Sequence, residues 1–150
     1  MKYTSSSPRA TERLGLEVIR HAKKVSRPHA LVVALDGPLG GGKTTFTRGI
    51  FKALGARARA VSPTFIVMRH LRLARGRAIY HVDLYRIADP RAVKILELQK
   101  LFADPKSVVV IEWAQHAAQS LPQDAVRVSF KHGRRSHERV IIVKDGKPKR

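Results

Sequence analysis

The sequence predicts an α/β domain in three layers, with helices on both faces of a mostly parallel central sheet and an antiparallel hairpin at its C-terminal end. Three observations carry that expectation. Residues 37–44 read Gly37-Pro38-Leu39-Gly40-Gly41-Gly42-Lys43-Thr44, a complete G-x-x-x-x-G-K-[ST] phosphate loop. The apolar run Leu31-Val32-Val33-Ala34-Leu35 leads into it, as expected of a strand buried on both sides. A helical pattern leaves it, with Phe46, Ile50 and Leu54 on one face and Gly55 placed to end the helix. Strand, glycine loop and helix in that order are the context in which the motif binds a nucleoside triphosphate, so the domain is of the P-loop NTPase type.

The other elements follow along the chain. After a polar leader, Ala10 to Val25 reads as an amphipathic helix with Leu14, Val18, Ala22 and Val25 on one face. Ser7 is placed to cap it, Pro8 suits its first position, and Pro28 lies beyond its end. Beyond the phosphate-loop unit, Val61 to Met68 reads as a strand entered through a bend at Pro63. Ala78 to Tyr85 reads as the next, joined to it by the basic turn Arg75-Gly76-Arg77. Asp89 and Pro90 mark the start of a short helix, with Val93, Leu96 and Leu101 on one side. Ser107 to Trp113 is a second apolar strand. The alternating segments Ala125–Phe130 and Arg139–Val143 form the hairpin, joined by the loop Lys131 to Glu138. At 150 residues the expectation is a single ATPase-sized domain spanning 1–150.

Composition narrows the class. Apolar content of 43% and charged content of 27% suit a soluble globular protein. The absence of cysteine excludes a disulfide framework and a thiolate zinc site. No apolar segment has the length of a signal core or a membrane span, so a cytoplasmic protein without a membrane partner is expected. The outlier is a net charge of +19, from 30 Lys and Arg against 11 Asp and Glu. Such a field attracts polyanions and makes contact with RNA a candidate role for the basic surface. Aromatic residues are not interleaved with these charges, so no base-stacking platform is visible.

The phosphate loop sets the chemistry. Its glycines let successive N–H groups converge on one anion, and the helix start adds its dipole there. Leu39, Gly40, Gly41 and Gly42 line the phosphates, Lys43 reaches the β- and γ-phosphates, and the Thr44 hydroxyl joins the shell of a Mg²⁺ ion. Hydrolysis also requires a carboxylate at a neighbouring strand end and a group that orients water. Asp83 and Glu112 each end a strand and qualify for both roles, which the sequence does not divide between them. Thr64, after Pro63, offers a hydroxyl that would sense the γ-phosphate or its metal. His81 reads as a core histidine rather than a catalytic one. Trp113, the single tryptophan, divides between packing and a place near the nucleotide.

Four segments taken together resemble the TsaE family, the bacterial ATPase of tRNA threonylcarbamoyladenosine biosynthesis. They are Gly37 to Gly49, Ser62-Pro63-Thr64-Phe65, His81-Val82-Asp83-Leu84-Tyr85-Arg86 and Ile111-Glu112-Trp113, in that order along nearly the whole chain. The resemblance implies a small ATPase that binds ATP and Mg²⁺ and works with the TsaB and TsaD proteins on tRNA, supporting turnover rather than transferring the group. Carried onto this chain, it implies that Lys43 and Thr44 bind phosphate and magnesium and that Thr45 helps hold the phosphates. It further implies that Thr64 lies in a switch-like segment, that Asp83 and Glu112 form the metal and water site, and that Trp113 accompanies them. Three departures stand out. Pro38 replaces a usual acidic residue, and Ala114 replaces a common proline. In Arg91 to Glu97 the charges are reversed, and Glu97 occupies a glycine position.

Two other classes fit the same loop. A small-molecule kinase would pass phosphate to a hydroxyl, and a nucleotide-dependent RNA-binding module would use hydrolysis only incidentally.

Overall fold

The computed structural model describes residues 1–56, 67–87 and 89–146. Seven strands form one sheet: β1 (Lys2–Ser5), β2 (Leu31–Asp36), β3 (Met68–Arg72), β4 (Ala78–Asp83), β5 (Ser107–Glu112), β6 (Val126–His132) and β7 (Arg139–Lys144). Their order across the sheet is β1-β7-β6-β2-β5-β4-β3. The four central strands, β6, β2, β5 and β4, are parallel; β3 and β7 flank them antiparallel, and β1 pairs antiparallel with β7 at the far edge. The expected parallel centre and C-terminal hairpin are therefore both present, in a sheet of mixed direction overall.

Helices cover both faces. α1 (Pro8–Ala22) and α2 (Lys43–Ala53) pack Val18, Ile19, Phe46 and Ile50 on one side, against Val33, Leu35, Val110 and Val128. On the other side α3 (Pro90–Ile95), α4 (Leu98–Phe102) and a 3-10 helix over Ala114–Ser120 cover Val32, Ala34, Val109 and Ile111. Alternate residues of β2 and β5 thus meet different helices. That is why their sequences are continuously apolar rather than alternating.

Local signals account for several ends. The Ser7 hydroxyl accepts from the Ala10 N–H at 3.1 Å, so Ser7 caps α1 with Pro8 in its first turn. The helix closes at Ala22, earlier than Val25, and the Arg27 side chain donates to the Ala22 and Val25 carbonyls. Asp89 caps α3 through the Arg91 N–H at 2.8 Å. Where α3 meets α4, Glu97 takes the left-handed conformation at φ 48°, ψ 43°, in the position the resemblance reserves for glycine. A non-glycine residue in this conformation carries a backbone cost of about 1 kcal/mol.

The edges of the sheet depart from expectation. Among the described residues the strand that pairs with β4 is Met68–Arg72, and the strand expected over Val61–Met68 falls mostly outside the described residues. Val67, at φ 63°, turns the chain just before Met68, and residues 61–66 lie outside the described residues. As an edge strand β3 mixes half-buried Met68, Arg69 and Leu71 with exposed His70 and Arg72, a pattern weaker than the apolar run upstream. The leader before Ser7 is also structured, since Lys2–Ser5 pairs with Arg139–Ile142 as the opposite edge. Among the described residues no helix is long and apolar enough to cross a membrane.

Where α1 and α2 cross, both helices carry glycine. A Cβ on Gly15 would stand 2.1 Å from the Phe46 carbonyl oxygen, and one on Gly49 would stand 1.8 Å from that of Glu12. Backbone contact of this kind seats α2, and with it the end of the phosphate loop, against α1.

Candidate active site

The carboxyl ends of β2, β4 and β5 point to one edge of the sheet, where chain direction across the sheet reverses around β2. There a cleft of about 340 Å³ is lined by Leu39 to Thr45, Asp83, Tyr85, Glu112 and Trp113. The loop residues Gly37 and Gly42 sit at φ 145° and 101°. A side chain on Gly37 would meet the Phe130 carbonyl oxygen at 2.6 Å, so the loop is wedged tightly against β6. Gly42 caps α2 with no side-chain bond, which leaves the first N–H groups of the helix available to an anion.

Lys43 is only 5% exposed. Its ammonium group donates to the Gly37 and Pro38 carbonyls at 2.7 and 2.8 Å, and lies 4.1 Å from the centre of the Trp113 ring. Burial pushes its pKa below the ordinary lysine value, while Glu112, Asp83 and Asp36 pull it back up. A cation held this way is relieved by an incoming polyanion.

The two carboxylates are register partners on adjacent parallel strands, Asp83 opposite Glu112. Their contacts differ. The Thr44 hydroxyl donates to Glu112 Oε2 at 3.0 Å, whereas Asp83 Oδ1 accepts from the Tyr85 N–H at 2.9 Å. The other Glu112 oxygen lies 2.8 Å from His81 Nε2. Trp113, left-handed at φ 58°, turns its ring between Lys43 and Tyr85, whose ring centre is 5.0 Å away. It lines the cleft, not a sheet edge. Leu39, 71% exposed, stands at the tip of the loop. Thr64, expected to contribute a hydroxyl, lies outside the described residues.

The chain matches the family model described as threonylcarbamoyl adenosine biosynthesis protein TsaE over residues 5–141. This chain belongs to the TsaE family. It is 34% identical over 118 residues to the tRNA threonylcarbamoyladenosine biosynthesis protein TsaE of Haemophilus influenzae, covering 79% of this chain and 73% of that protein. It is 39% identical over 114 residues to the protein of the same name from Streptomyces coelicolor, covering 75% of each. Among solved structures, Bacillus subtilis YdiB superposes with a TM-score of 0.74 at 26% identity, covering 97% of this chain and 85% of that one.

Two residues that sequence reading passed over also hold this TsaE-family site together. Arg139, on β7, donates from Nε to the Gly40 carbonyl at 2.9 Å and from Nη1 to the Ser136 and Glu138 carbonyls. Because β6 runs parallel to β2, the hairpin tip arrives at the same sheet edge as the loop, and no local pattern around Arg139 announces that. Asp36, the last residue of β2, accepts from the Gln115 N–H at 2.8 Å and so fixes the start of the 3-10 helix after Trp113. Burial raises its pKa, against the pull of the Gln115 N–H, Arg127, Lys43 and His116. Its place immediately before the loop was the available signal.

The donor set suits a hard cation. Among the described residues no group of three or more His, Cys, Asp or Glu side chains forms a metal cage. Thr44, Glu112 and Asp83 offer a few oxygen donors beside an open helix N-terminus. Mg²⁺ asks for that composition, since it keeps water and takes its remaining ligands from phosphate.

Proposed function

We propose that this TsaE-family chain is the ATP-hydrolysing subunit of tRNA threonylcarbamoyladenosine biosynthesis, that it acts with TsaB and TsaD, and that residues 1–150 work as one ATPase domain. The observation that carries the reading is the hydrogen bond from Thr44 of the phosphate loop to Glu112 of β5, with Asp83 in register beside it. That juxtaposition turns a binding loop into a hydrolytic site.

Each residue then has a task. The loop N–H groups and the start of α2 bind the phosphates, with Leu39 to Thr45 surrounding them. Lys43 brings its cation to the terminal phosphates, where the charge of the transition state spreads. Thr44 and Glu112 would hold Mg²⁺, which when bound neutralises charge on the β- and γ-oxygens. Asp83, alongside, is assigned to orient the attacking water, and Trp113 shields Lys43 from solvent. Thr64 is assigned to the segment that responds to the γ-phosphate. No arginine of this chain is assigned to the transition state, so turnover rises when TsaB and TsaD complete the site, as a group supplied in trans is worth roughly 10³–10⁵. The basic surface is assigned to the approach of tRNA.

The test is phosphate release from Mg-ATP by the full chain, alone and with TsaB, TsaD and tRNA. Free phosphate whose production rises with the partners supports the reading. A phosphorylated acceptor would indicate a kinase. Salt-sensitive tRNA binding by this chain alone, with partner-independent hydrolysis, would indicate an RNA-binding module.

A further inference from the structure

β4 sends His81 and Asp83 to the same face of the sheet, the face under α2, and Glu112 of β5 ends on that face too. His81 has no exposed surface and Glu112 is 2% exposed. The two approach to 2.8 Å between Nε2 and Oε1. On its far side the imidazole meets the edge of Phe51 of α2, ring centres 5.6 Å apart and planes at 79°. Its Nδ1 is buried with no hydrogen-bond partner.

These facts select one neutral tautomer. The Nδ1–H tautomer would bury an N–H with nothing to accept it and leave Nε2 facing a carboxylate without a proton to share, which costs more than a bare Nδ1. A neutral ring with its proton on Nε2 donates to Glu112 and leaves only an acceptor unpaired. Glu112 then accepts twice, through Oε1 from His81 and through Oε2 from Thr44. The carboxylate is held at both oxygens, and the one facing the phosphate loop has no freedom to turn away.

We infer that His81 is a positioning residue for the ATPase reaction: clamped between Phe51 and Glu112, it fixes the Glu112 carboxylate so that Oε2 faces Thr44 and the metal position. The inference rests on the assignment of Glu112 to the metal made above. Partners in this second rank orient a ligand and raise its basicity, and removing one typically costs ~10–100-fold in metal affinity or activity.

Glutamine and methionine at position 81 separate the roles. Their side chains have nearly the same shape, but only glutamine has an N–H near the place of Nε2, and methionine sulfur is well tolerated beside an aromatic edge. His81→Met is expected to lower partner-stimulated kcat by ~10–100-fold and to raise the Mg²⁺ concentration for half-maximal rate by ~10-fold or more, with KM for ATP within about 3-fold. His81→Gln is expected to stay within about 3-fold of the parent in all three. An activity-independent readout is the ¹⁵N imidazole spectrum of the nucleotide-free chain, where the signals lost in His81→Gln must be those of a ring protonated at Nε2 and bare at Nδ1. Equal behaviour of the Met and Gln variants, or a ring protonated at Nδ1, overturns the inference. If the Met variant fails to fold, the Gln variant decides: it must retain the parent's Mg²⁺ requirement. Glu112→Gln, run in parallel, keeps the two levels apart. If it is inactive while His81→Met is not, the positioning role fails alone; if it too is active, the metal assignment has failed.

Discussion

Replacing Gly49 by alanine tests whether helix contact, rather than helix propensity, seats the phosphate-binding helix. In an exposed helix interior the change would stabilise by about 1 kcal/mol. Here the new Cβ would lie 1.8 Å from the Glu12 carbonyl oxygen and 2.8 Å from the Leu16 nitrogen, where ordinary contact begins at 3.4 Å. Both neighbours are main chain, so no rotamer change relieves the clash and α1 must move off α2. Overpacking of that kind costs ~1–3 kcal/mol, and the upper end applies when backbone has to shift. The propensity gain offsets a part, leaving about 2 kcal/mol of destabilisation, or a Tm lower by roughly 4–8 °C for a chain of this size. Gly55→Ala is the control: φ is 74° but nothing lies within 4 Å, so it feels only the left-handed backbone cost of about 1 kcal/mol. Thermal unfolding by circular dichroism reads both. A Gly49→Ala protein as stable as the parent, or more stable than Gly55→Ala, would show that backbone contact with α1 does not seat α2.

Three further outcomes follow. Glu97→Gly removes a left-handed non-glycine residue at the cost of an exposed Lys100 ion pair, and is expected to raise stability by up to about 1 kcal/mol in urea unfolding. For Asp36 the folded pKa is raised, so the folded state takes up its proton first and this group's penalty, present at neutral pH, is relieved as pH falls through the raised value toward 3.8. Asp36→Asn should therefore have the higher Tm at pH 7, with the gap closing toward pH 4, and a gap that widens on acidification contradicts the assignment. Arg139→Ala removes the bond to the Gly40 carbonyl, worth about 1 kcal/mol, and should weaken nucleotide binding roughly five-fold in a titration of Trp113 fluorescence.

What the sequence disclosed and what it concealed divide along a physical line. Signals carried by neighbouring residues were readable: the loop between its strand and helix, the Ser7 and Asp89 caps, and the alternation of the hairpin arms. Features created by distant pairing were not. Lys2–Ser5 is too short and polar to announce a strand, and becomes one only because Ile141 and Ile142 lie opposite it. The division between Asp83 and Glu112 stayed open because both end a strand; the structure separates their contacts, since Thr44 meets Glu112. His81 looked like core, and it is wholly buried, but its register places Nε2 against a carboxylate. Glu97 stands out as a missing glycine, yet only the backbone reveals that it is left-handed.

The proposed function makes Lys43, Thr44 and Glu112 one hydrolytic site. Single-turnover phosphate release from Mg-ATP, with TsaB and TsaD present, tests it most directly in Lys43→Ala, Thr44→Ala and Glu112→Gln chains. A loss of ~10²–10³-fold or more is expected in each. Release near the parent rate from Lys43→Ala, or from both of the other two, would contradict it.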